Sequence, residues 1–125
     1  MRSIGCAVFL AVTLAIPSAA LAQTYPQRSI RVIVSFPPGG STDFIARVLA
    51  QHMPASIGQT IVIDNRGGAG GTLGTDIAAK APPDGYTLLV TAEPPITIAG
   101  SVYAKLPYNA IRDLLPVIEV AELTN

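Results

Sequence analysis

The apolar positions of this chain change period as it is read. Ile30 to Phe36 (IRVIVSF) is a dense β-branched run and predicts a strand buried on at least one face. Pro37-Pro38-Gly39-Gly40 ends it. Phe44, Ile45, Val48, Leu49 and Met53 then recur at helical spacing, which predicts a helix resting on that face. Ser41 or Thr42 is placed to cap this helix, with Asp43 in its first turn, where negative charge suits the dipole. Pro54 and Gly58 mark its exit. The cycle then repeats. Thr60 to Asp64 (TIVID) predicts a second strand, Asn65 to Gly71 (NRGGAGG) a glycine-rich loop, and Thr72 to Ala81 a short helix. Pro82-Pro83-Asp84-Gly85 is turn chemistry. Tyr86 to Thr91 predicts a third strand, Ile96 to Val102 a helical stretch, and Leu114 to Val120 a fourth strand.

Alternating strands and helices imply an α/β fold with a parallel sheet. Such sheets bind ligands at the carboxyl ends of their strands, where loops enter helices. Both glycine-rich loops belong to that edge. Each delivers glycine backbone to a helix N-terminus, whose first amides lack partners within the helix and carry positive potential. An anion fits there without any Lys or Arg, and two such ends side by side suit a carboxylate. The plainer reading is that these glycines only make tight turns.

The N-terminus changes the picture of where the chain works. Arg2, the apolar run Ala7 to Ile16, the break at Pro17-Ser18 and the small residues of Ala20-Leu21-Ala22 read as an export signal over residues 1–22, cleaved before Gln23. The run is too short to cross roughly 30 Å of hydrocarbon. The remaining 103 residues suit one small domain. They carry seven basic against eight acidic residues, with no basic stripe, which argues against nucleic acid as a partner. Cys6, the sole cysteine, sits inside the signal, so the mature chain has no thiol ligand and no disulfide.

Rival chemistries lack their motifs. Neither loop holds the lysine of a phosphate-binding G-x-x-x-x-G-K-[ST]. Gly68, Gly70 and Gly74 imitate a dinucleotide fingerprint, but Leu73 stands where its third glycine belongs. Gly39-Gly40-Ser41-Thr42-Asp43 lacks the closing glycine of a nucleophile elbow. His52, the one histidine, lies near the end of the first helix, away from the loops, so neither a metal site nor a cofactor is expected and the chain does not read as an enzyme. Asp43 either holds its own loop or meets a ligand ammonium or an ordered water. Arg66 either pairs with Asp64 or touches the ligand.

Tyr25-Pro26, IRVIVSFPPGGSTDFIAR, IVIDNRGGAGGTLG, PPDGYTLLV and LPYNAIRDLLPV occur in this order between Tyr25 and about Ala121. Together they resemble the solute-binding proteins of tripartite tricarboxylate transporters, the Bug receptors. The resemblance implies a type II, flytrap-like periplasmic binding protein. Its ligands would be small organic acids, amino acids or aromatic acids, gripped by two loops of the first lobe. Carried over, the first grip is Pro38, Gly39, Gly40, Ser41, Thr42 and Asp43. The second is Gly68, Ala69, Gly70, Gly71 and Thr72, and Thr91 and Ala92 line the same cleft. Residues 23–125 would then be the first lobe, stopping before most of the second. The implied role is a monomeric periplasmic receptor passing a small carboxylate solute to the membrane subunits of such a transporter. The alternatives are a ligand-sensing protein or a non-functional truncated fragment. One stretch departs from the family pattern. A polar, alanine-rich segment usually follows the third strand, whereas Glu93-Pro94-Pro95-Ile96 stands here.

Overall fold

A computed structural model describes residues 24–122. The expected export signal, residues 1–22, lies outside them. Three parallel strands form one sheet, β1 (Ile30–Val34), β2 (Ile61–Asn65) and β3 (Thr87–Val90), in the order β2-β1-β3. Being central explains why β1 is apolar apart from Arg31 near its start, since a strand flanked on both edges and covered on both faces has little side to give to water. Ile30, Val32, Ile33 and Val34 are all buried. The register sets Val32 beside Ile63 and Leu88, and Val34 beside Val90. On that face lie the helices α1 (Ser41–His52) and α2 (Pro54–Ile57), and Ala46, Ala50, Met53 and Ile57 complete the core. The opposite face receives α3 (Thr72–Ala79).

Three expectations are corrected. The cap of α1 is Gly40, in extended conformation, and neither Ser41 nor Thr42 caps by its side chain. The helix begins at Ser41 itself, so both hydroxyls fall within its first turn. The buried stripe of α1 is also rotated. Asp43 and Ala46 face inward, whereas Phe44 is 68% exposed and Val48 is 40% exposed. The hydrogen bond that Asp43 accepts from Asn65 of β2 holds the helix in that rotation, and small Ala46 and Ala50 allow a close approach to the sheet. Finally, Leu114 to Val120 is no strand. A short helix, α6 (Ala110–Asp113), is capped by Asn109, whose Oδ1 accepts from the amides of Ile111 and Arg112 at 3.1 Å each. The chain beyond it is irregular, with Leu115, Val117 and Ile118 exposed. A strand is made by a hydrogen-bonding neighbour as well as by composition, and no described residue offers one.

Between β3 and α6 the expected helical stretch is split into two single turns, α4 (Pro94–Thr97) and α5 (Ala99–Val102).

Candidate functional site

The three loops leaving the carboxyl ends of the strands meet at one edge. Because β1 is central, its loop runs between those of β2 and β3. The amide of Arg66 donates to the carbonyl of Val34 at 2.7 Å, continuing the β1–β2 pairing into the second loop. A Cβ on Gly67 would lie 2.9 Å from Pro37, so the first two loops touch. Ser35, fully buried, donates its hydroxyl to Thr91 Oγ1 at 2.6 Å and ties the first loop to the third.

Asp43 anchors the first loop. Its Oδ2 accepts from the Gly39 amide and from Arg47 Nε, each at 2.9 Å, and its Oδ1 accepts from Asn65 Nδ2 at 2.9 Å. Asn65 also donates to the Phe36 carbonyl at 3.2 Å. The Arg47 guanidinium, then the Gly39 amide and the Asn65 amide, hold the Asp43 carboxyl far below the usual carboxylate range. Asp43 is 3% exposed, so its charge is spent on the loop and does not line the edge. Of the two readings of Asp43, the geometry supports the loop holder. The first intrahelical bond of α1 runs from Phe44 to Gly40 at 2.9 Å, which leaves the amides of Ser41, Thr42 and Asp43 ahead of it at the open edge.

The second loop is held by its backbone. Gly68, Ala69, Gly70 and Gly71 all have positive φ, and Ala69 does so with a side chain, at φ 48°. The carbonyl of Ala69 accepts from Thr72 Oγ1 at 2.9 Å and from the Tyr103 hydroxyl at 3.1 Å. Gly71 is enclosed, and a Cβ there would come within 2.7 Å of Pro95 and 3.0 Å of Phe36. Pro95 is in turn fixed by the buried Tyr108, whose hydroxyl donates to its carbonyl at 2.6 Å.

Of the residues expected at the site, Pro38, Gly39, Gly40, Ser41, Gly68, Ala69 and Gly70 are exposed along this edge. Thr42, Thr91 and Ala92 are half-buried there. Asp43, Gly71 and Thr72 turn inward and act as supports. Arg66 pairs with Asp64, its Nε 2.8 Å from Oδ1, and Arg31 holds the other carboxylate oxygen. His52 sits on the helix surface, its Nδ1 2.8 Å from the Val48 carbonyl. Sequence reasoning missed Ser35, Asn65, Arg47 and Tyr103. The first two were legible as polar residues at strand ends, and Arg47 as an i+4 partner of Asp43. Tyr103 carried no local signal.

Comparison with known proteins fits this architecture. The family model described as the tripartite tricarboxylate transporter family receptor matches residues 45–124. The chain is 47% identical over 117 residues to BugT of Bordetella pertussis, covering 93% of this chain and 36% of that protein. It therefore spans little more than a third of that relative. Among solved structures, MatC of Rhodopseudomonas palustris with bound malate is 40% identical at a TM-score of 0.67, covering 71% of this chain and 30% of that one. A second R. palustris protein, solved with adipate, is 34% identical at a TM-score of 0.66, over 70% of this chain and 29% of that one. With the parallel sheet, the paired glycine loops and the family match in agreement, the chain belongs to the receptor family of the tripartite tricarboxylate transporters.

Proposed function

We propose that this chain forms one wall of the ligand cleft of a periplasmic receptor that captures a small carboxylate for a tripartite tricarboxylate-type transporter. In this reading residues 1–22 direct export, residues 23–125 belong to the first lobe, and membrane subunits of the transporter receive the loaded receptor. The observation that carries it is the junction of two glycine loops, Pro37 against Gly67, from which α1 and α3 both start. The first-turn amides of α1 and the exposed loop backbone of Gly68 to Gly70 ahead of α3 offer donors to one small anion, and the helix dipoles add positive potential. The carboxylate of the first loop, Asp43, is buried and satisfied, so it does not repel the ligand. Two relatives were solved with small carboxylates, malate and adipate, which supports an anion of this class at the edge.

Gly40→Val tests the grip. Gly40 has φ −82° and ψ 173°, which valine adopts readily, and a Cβ there would meet nothing closer than the Pro37 carbonyl oxygen at 3.8 Å. The fold should therefore persist while the branched side chain screens the amides of Ser41 and Thr42. Losing charge-assisted bonds of about 1.5–3 kcal/mol weakens affinity roughly ten- to hundredfold. Calorimetric titration with adipate measures it. Unchanged affinity in a folded variant would place the grip elsewhere.

A further inference from the structure

Ser35 is the first residue beyond β1, and it is fully buried. Its amide donates to the Val90 carbonyl at 3.3 Å, which carries the β1–β3 pairing one step further. Behind it α3 closes in, since a Cβ on Gly74 would lie 2.7 Å from Ser35 Cα and 3.0 Å from its Cβ. The Ser35 hydroxyl therefore sits in a dry corner, and among the described residues its one partner is Thr91 Oγ1 at 2.6 Å. Two hydroxyls share this bond, and only one proton can lie between them. If Thr91 donated, the Ser35 proton would be buried without an acceptor, which is disfavoured roughly tenfold or more. Ser35 therefore donates, and Thr91 keeps a proton of its own. No acceptor for that proton occurs among the described residues. Thr91 is half-buried in the third loop, beside the first.

We infer that Ser35 is a positioning residue for ligand capture: donating to Thr91 from the interior, it turns the Thr91 hydroxyl outward as a donor to the carboxylate at the edge. The inference rests on the carboxylate reading above. It adds a side-chain donor from the third loop to the backbone donors of the first two. A hydroxyl that already accepts a hydrogen bond is polarised and donates more strongly. The bond from Ser35 also excludes the arrangement in which Thr91 turns its proton inward, so less order is lost on binding.

Calorimetric titration of the protein with adipate tests this in Ser35→Ala, Thr91→Val and the double variant. Thr91→Val should weaken binding about tenfold, through the loss of one charge-assisted bond. Ser35→Ala leaves the Thr91 hydroxyl in place but undirected, and should weaken binding about threefold. In the double variant an apolar pair of similar shape replaces the two hydroxyls, so the fold persists. Its affinity should equal that of Thr91→Val alone. A further loss there would show that Ser35 acts through packing and not through the Thr91 proton. Parental affinity in both single variants, with Gly40→Val still weakened, would overturn the inference and leave the carboxylate grip standing. If the parent protein does not bind adipate, both readings fall.

Discussion

The first and second loops perform the same task by opposite means. The first is held by side chains, with one buried carboxylate gathering the Gly39 amide, Arg47 and Asn65. The second is held through its backbone, its glycines fitting against Phe36, Pro37 and Pro95 where a Cβ would collide and its Ala69 carbonyl accepting from Thr72 and Tyr103. Polar anchoring leaves the first loop's backbone exposed yet fixed, and it depends on ionisation. Steric fitting makes the second loop indifferent to charge and intolerant of added volume. The difference teaches that a glycine-rich sequence does not reveal which glycines serve the ligand and which serve the packing. Gly40 is free to change in structural terms, whereas Gly71 is not.

That contrast can be broken in several ways. Gly71→Ala should have the largest effect. It sets a side chain at φ 93° and within 2.7 Å of Pro95. Left-handed strain and overpacking together cost roughly 3 kcal/mol, readable as a fall in the urea midpoint. A variant as stable as the parent would show that the second loop is not sterically fitted.

Asn65→Ala attacks the polar anchor. It strips one partner from the Asp43 carboxylate and one from the Phe36 carbonyl. Leaving buried acceptors short of donors costs about 1–3 kcal/mol. Faster amide exchange should follow in residues 39–44 and not in residues 68–71. Equal loosening of both loops would contradict separate anchoring.

The same anchor is acid-sensitive. Asp43 is depressed when folded, so the unfolded chain takes up its proton first, near the ordinary value of about 4. Its stabilisation is complete above that pH and falls as the pH drops further. Amide shifts of Gly39 should move in acid, while those of Gly70 and Gly71 hold. Movement of both loops together would join what the structure separates.

Ala69→Gly should be the mildest change. It relieves left-handed strain at φ 48° but frees the unfolded chain, so stability should change by less than about 1 kcal/mol. A large loss would mean that the Ala69 methyl itself packs against a partner.

The sequence by itself determined the alternation of elements, the parallel sheet and the placing of both glycine loops at the carboxyl edge of the strands. These follow from local signals, since a β-branched run, a proline-glycine break and a helical spacing each act within a few residues. The rotation of α1 was illegible because its spacing admits two apolar stripes. Phe44 and Val48 look like core, and only the bond from Asn65, 22 residues away, turns Asp43 and Ala46 inward instead. The apolar segment 114–120 read as a strand by composition, but pairing decides strands, and none of the described residues pairs with it. The bracing of the second loop was likewise out of reach. It exists because Tyr103 reaches 34 residues back to the Ala69 carbonyl, and Tyr108 fixes Pro95 against Gly71. Contacts of that range are set by how the layers meet, which no periodicity along the chain encodes.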